Sequence, residues 1–162
     1  MRSSALVAIA AVCLLLVSCD DQLAVKYNNH IVSQLDSRFD AGSAFVTHEI
    51  ERFIEGGQWD SMAYASKKMV QLVDERIKDV SENKPPAVNG AREFQKESLI
   101  YLNFIRNIYI GYRKVAEQPD DEARAVEFEQ FSKMLEGSNA AETAIHNAQI
   151  RFARDNNLKV GY

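Results

Sequence analysis

Seven residues, Phe94, Ser98, Tyr101, Ile105, Ile108, Tyr112 and Val115, recur at alternating intervals of four and three. That spacing keeps all seven on one face of an α-helix and would scatter them over both faces of a strand. The middle of the chain is therefore an amphipathic helix with one side committed to a core. The same alternation returns in Phe131, Met134, Ser138, Ala141, Ile145, Ala148 and Phe152. Upstream, Val25, Val32, Phe39, Val46 and Phe53 form a column of period seven flanked by Leu35 and Ile50, and Ala65, Met69, Leu72, Arg76, Ile77 and Val80 form a further stripe.

The connections between these stripes carry helix-ending chemistry. Gly56-Gly57 closes the first, because glycine readily takes the left-handed conformation of a helix C-cap. The second restarts at Trp59-Asp60, with Asp60 as the expected cap, and ends near Asn83 because Pro85-Pro86 cannot continue a helix. Asn89 is the expected cap of the third. Pro119-Asp120-Asp121-Glu122 suits the first turn of the fourth, where proline costs no hydrogen bond and carboxylates meet the positive end of the helix dipole. No connection is long enough to cross a helix, so neighbouring segments run antiparallel. The expected fold is all-α, an up-down-up-down four-helix bundle. The outer segments, about 33 and 37 residues, exceed the inner ones, about 23 and 27, so their ends either project or bend. Gly42, Gly111 and Gly137 each cost a helix about 1 kcal/mol relative to alanine, which close helix packing offsets.

The chain has 162 residues, of which 46% are hydrophobic and 26% charged, as expected of one globular domain. Nineteen basic residues stand against 23 acidic ones, a net charge of -4. The basic footprint that a nucleic-acid binder needs is missing.

The N-terminus reads differently. Met1-Arg2-Ser3-Ser4 precedes an unbroken apolar run from Ala5 to Val17. As a helix this run rises about 20 Å, too short for a hydrocarbon core of about 30 Å, and it fits the apolar region of a signal peptide. The run ends in Leu16-Val17-Ser18-Cys19, which resembles the lipobox of bacterial lipoproteins. The resemblance implies that the Cys19 sulfur receives diacylglycerol, that a dedicated peptidase cuts after the small Ser18, and that fatty acyl chains such as palmitate hold the mature protein in the cell envelope. It divides the chain into a signal peptide over 1–18, a lipidated tether over 19–22 and a helical domain over 23–162. Cys13 would leave with the leader, so the mature chain would keep a single cysteine and could form no internal disulfide. Only Arg2 among the charged residues would be lost, giving a mature net charge of -5. The alternative is a conventional or uncleaved signal peptide, with Cys19 an ordinary thiol. Asp20-Asp21 resemble an inner-membrane retention signal in some envelopes and an acidic surface-export signal in others, or else simply keep the tether solvated.

Catalytic patterns are missing from the sequence. A di-iron bundle needs Glu-x-x-His on two helices, but Tyr27, Phe45 and Thr143 stand three residues before His30, His48 and His146. His48 with Glu51, and Glu142 with His146, share helix faces and read as solvated neighbours rather than zinc ligands. No nucleophile elbow, phosphate-cradling glycine loop or haem attachment motif occurs. The expectation is a protein that is not an enzyme, with no cofactor and no metal. Arg38, Arg76 and Arg106 fall beside inward stripes and call for partners such as Glu49, Glu97 or Asp74.

Tyr101, Tyr109 and Tyr112 crowd the third segment with Phe104, and Tyr27, Tyr64 and Trp59 could join them around an apolar ligand; the competing reading is core packing. Finally, Val25-Lys26-Tyr27-Asn28-Asn29-His30-Ile31-Val32 resembles the start of small bacterial lipoproteins of unassigned function, in which such a stretch opens a helical bundle after the anchor. The expected function is a lipid-anchored envelope module, non-catalytic, that binds an envelope protein partner or serves structurally and does not bind nucleic acid. The alternative is a ligand-binding bundle with an aromatic pocket at Tyr101, Tyr109 and Tyr112.

Overall fold

The structure, a computed structural model, describes residues 22–35 and 48–158. The leader over 1–18, Cys19, Arg38, Phe39, Gly42 and Val46 lie outside the described residues. Within them, helix alternates with short connections and no strand occurs, so the fold is an all-α helical bundle. The helices are α1 (22–35), α2 (48–55), α3 (Trp59–Glu82), α4 (Ala91–Ala116), α5 (Asp121–Leu135) and α6 (Ser138–Asp155). None is long and apolar enough to cross a membrane.

Helix α4 is the element against which α3, α5 and α6 all pack. Gln95 Nε2 donates to the carbonyls of Val80 (2.7 Å) and Asn83 (2.9 Å), while further along Arg106 Nε donates to Asp74 Oδ1 at 2.5 Å. Positions fall along α3 as they rise along α4, so the two are antiparallel. Helix α5 returns along the C-terminal half of α4, where Phe131 meets Gly111. Helix α6 continues along the N-terminal half, where the Phe152 ring stacks on Phe94 with centroids 5.2 Å apart. Helix α1 joins that end through Tyr27, whose ring meets Phe152 edge-on at 5.9 Å.

Several caps differ from expectation. Gln58 precedes α3 without a side-chain cap, and Asp60 lies inside the first turn, where it acts on the dipole. Gly90, not Asn89, caps α4 at φ 72, a conformation that favours glycine. The Asn89 carbonyl instead accepts from Asn156 Nδ2 at 2.8 Å. At α5 the cap is Asp120, accepting from the Ala123 amide at 2.9 Å, so Pro119 sits just outside the helix. Gly57 ends α2 as expected, at φ 64, with Gln58 N donating to Phe53 O and Gly57 N to Ile54 O.

The inward stripes differ as well. The expected fourth helix is interrupted at Glu136-Gly137, giving α5 and α6. The break falls beside Phe104, whose ring lies 3.8 Å from where a Gly137 Cβ would stand. In α1 the buried positions are Ala24, Tyr27, Ile31 and Gln34, whereas Val25 is 44% exposed. Tyr27 and Gln34 are wanted inside because they find partners: the Tyr27 hydroxyl donates to Ala91 O, and Gln34 Oε1 accepts from Arg76 Nη1 at 2.9 Å.

Gly111 decides how closely α5 can approach α4. A Cβ there would fall inside contact distance of Phe131 Cδ2 and 2.6 Å from Cε2. Gly111→Ala is therefore expected to lower stability by about 1–3 kcal/mol through overpacking, despite the helix preference of about 1 kcal/mol for alanine. An unchanged or raised urea midpoint would contradict this packing.

Burial also pushes the Tyr27 phenol up to about 12. The folded state favours the neutral phenol, so its contribution is full below the ordinary value near 10 and lost as pH rises through 12. Tyr27→Phe is expected to flatten the fall in melting temperature above pH 10 and to leave neutral stability nearly unchanged, since the hydroxyl's hydrogen bond is long at 3.4 Å.

Candidate functional site

At the end of α4 opposite α1's start, four helices leave an apolar cleft of about 290 Å³. Its walls are Ile54 of α2, Trp59 of α3, Val115 of α4, and Asp121, Arg124, Ala125 and Phe128 of α5. Each side chain is delivered by a turn already described. Gly57 reverses the chain so that Ile54 and Trp59 face the same space, and the Asp120 cap starts α5 so that positions 121, 124, 125 and 128 share one face.

Arg124 organises the rim. Its guanidinium lies over the Trp59 ring, 4.6 Å from the centroid. Nη1 donates to Asp121 Oδ1 at 2.7 Å and Nη2 to the Gln118 carbonyl at 2.8 Å, while Nε is buried with no hydrogen-bond partner among the described residues. The cation therefore holds an aromatic face, a carbonyl of the α4–α5 connection and a carboxylate together. Phe128 forms the opposite lip and is 44% exposed. Apolar surface left uncovered beside a Trp and an Arg has the make-up of a binding hot spot.

An aromatic chain leads inward from this lip. Phe128 meets Phe131 edge-on at 6.1 Å, Phe131 meets Tyr112 at 4.7 Å, and Tyr112 lies 6.4 Å from Tyr109. Tyr109 is buried and Tyr112 half-buried. Burial, and then the Glu51 carboxylate, hold the Tyr112 phenol above its ordinary value. Tyr101 is half-buried two turns nearer the start of α4, about 12 Å below Tyr109 along the helix, so only two of the three tyrosines come together. Tyr64 is exposed beside Lys68, and Tyr27 belongs to the other end of the bundle.

The other sequence candidates separate likewise. His48 Nδ1 is 3.9 Å from Glu51 Oε2 with both side chains well exposed, and among the described residues no three His, Cys, Asp or Glu side chains cluster as a metal site. Of the three arginines, Arg106 finds Asp74, Arg76 finds Gln34, and Arg38 lies outside the described residues. Glu49 pairs with Arg52, and Glu97 is 3.7 Å from Lys96. Arg124 and Phe128 were not visible as site residues in the sequence, because the 4-3 apolar alternation begins only at Phe131 and Arg124, seven positions earlier, is charged. Their signal was a second stripe, Asp121, Arg124, Ala125 and Phe128, on the same helix.

No protein-family model, curated protein or solved structure matches the chain.

Trp59 is the only tryptophan, so the cleft reports on itself. Arg124→Ala is expected to uncover the indole, raising acrylamide quenching of its fluorescence, and to lower stability by about 1–2 kcal/mol through the lost cation–π contact and hydrogen bonds. Quenching equal to that of the parent protein would show that the guanidinium does not cover the ring.

Proposed function

We propose that this chain is a lipid-anchored bacterial envelope protein, a non-catalytic binding module whose helical columns run up, down, up and down. In this reading α1 and α2 rise as one column and α5 and α6 descend as another. The observation that carries the proposal is the Leu16-Val17-Ser18-Cys19 sequence at the end of a 13-residue apolar run. It supports a lipid anchor at the start of α1. Tyr27 lies beside Ala91 at one end of α4, and the cleft beside Val115 lies 24 residues on, about 36 Å away along the helix. An anchored protein would thus present the Trp59–Phe128 cleft away from the bilayer, toward other envelope components. Two or more acyl chains make such attachment stable without a basic patch.

The deciding measurement is the intact mass of the protein taken from its native membrane. The expected mass is that of residues 19–162 plus acyl chains, and Cys19→Ala is expected to lose the acyl increment. An unacylated parent protein beginning at another residue would overturn the anchor.

A second reading, a bundle that holds a small apolar or aromatic molecule, is favoured by the shape of the same cleft, with Tyr112 and Tyr109 behind its aromatic lip. Titration with 1-anilinonaphthalene-8-sulfonate is expected to quench Trp59 by energy transfer in the parent protein and at least tenfold more weakly in Phe128→Ser. Equal quenching in the two would place the dye elsewhere.

A further inference from the structure

The opposite end of the bundle carries a second concavity of different chemistry. Leu23, Lys26, Tyr27 and His30 of α1 face Asn83, Lys84 and Pro86 of the α3–α4 connection across a cleft of about 340 Å³. Its lining holds two lysines and a histidine and no carboxylate, on a chain whose net charge is -4. Lys26 and Lys84 are both exposed, and neither ammonium is ion-paired among the described residues, although carboxylates elsewhere have taken up Arg52, Arg106, Arg124 and Lys133. His30 Nε2 is buried with no hydrogen-bond partner among the described residues. Unpaired cations on the wall of a concavity make a place where an anion gains charge-assisted hydrogen bonds that the protein itself does not supply.

We propose that this cleft binds a phosphate group, with Lys26 and Lys84 as its cationic clamp, and that the phosphate is that of a membrane phospholipid headgroup. The clamp joins two segments far apart in sequence, so only the folded bundle presents it. Apolar surface adjoins it, with Leu23 48% exposed at the cleft. A headgroup with its acyl chains meets both features, whereas inorganic phosphate uses only the first. Choosing the lipid rests on the anchor reading above: Leu23 is four residues from Cys19, and four extended residues reach at most about 14 Å, which keeps the cleft beside the headgroup layer. The phosphate chemistry itself does not depend on that reading.

The test uses the full chain, isotope-labelled, in a non-ionic detergent free of phosphate. Phosphatidylglycerol, and in a separate titration inorganic phosphate at constant ionic strength, are followed by amide chemical shifts. Phosphatidylglycerol is expected to move the resonances of residues 23–30 and 83–86, with affinity reduced about tenfold or more in Lys26→Gln/Lys84→Gln, as two cations facing an anionic headgroup imply. Lys67→Gln/Lys68→Gln, which removes the same charge at exposed positions on α3, is expected to bind like the parent chain. Unchanged melting temperatures certify that both variants are folded.

Shifts at the cleft with inorganic phosphate as strong as those with the lipid would keep the phosphate site but overturn the headgroup as its source. Shifts spread over the whole surface, or equal losses in the two double variants, would overturn the site itself. The intact mass of the same preparation separates this result from the anchor: localised lipid binding by an unacylated chain would leave the cleft standing and remove the anchor.

Discussion

Helix α4 must be buried on several sides at once, and the other described helices are arranged by that requirement. It receives α3 along one side, α5 and α6 in succession along another, and Tyr27 of α1 at its start. A single 4-3 stripe cannot serve so many neighbours. Leu102 and Tyr109, one position beyond Tyr101 and Ile108, are therefore fully buried alongside Phe94, Ser98 and Val115. Rotation by about 100° per residue carries these additional positions toward a different neighbour. Ser98 tolerates such burial because its hydroxyl donates to the Phe94 carbonyl at 2.7 Å and leaves no polar group stranded.

The contacts on α4 are made by shape more than by charge. Phe131 occupies the space that Gly111 leaves open, and Phe152 lies flat on Phe94. Among the described residues, ion pairs across the bundle are few and wet: Arg106 and Asp74 are both partly exposed, and pairs of that kind contribute about 1 kcal/mol or less. The interruption at Glu136-Gly137 follows from the same packing, because α5 and α6 meet different halves of α4 with different side chains and one straight helix need not suit both.

This arrangement separates two chemistries along α4. At the start of the helix, α1 and the α3–α4 connection put lysines beside an exposed leucine. At its end, α2, α3 and α5 surround an apolar space with Trp59 and Phe128, braced by Arg124. For a protein tethered by its N-terminus, the first end would meet lipid and the second would meet whatever the envelope offers. Both clefts are assembled from segments far apart in the chain, so both depend on the central packing that sets those segments side by side.

Helix positions and their breaks were legible in the sequence because they depend on local chemistry. The 4-3 alternation from Phe94 to Val115, the stop at Pro85-Pro86 and the reversal at Gly56-Gly57 act within a few residues and need no tertiary partner. The acylation expectation at Cys19 is likewise a property of a short peptide, and it lies outside the described residues. Ile145, Ala148 and Phe152 of α6 are buried as their spacing predicts, but tertiary structure decided which face of α1 turned inward. Val25 and Tyr27 are both plausible core residues in sequence, but only Tyr27 has Ala91 and Phe152 to meet. Tertiary structure likewise decided that Arg124 would stack on Trp59, 65 positions away, since neither residue carries a local sign of the other. A repeating stripe states that a helix has an inside; which residues fill it, and what is left uncovered at its ends, depends on the neighbours that fold against it.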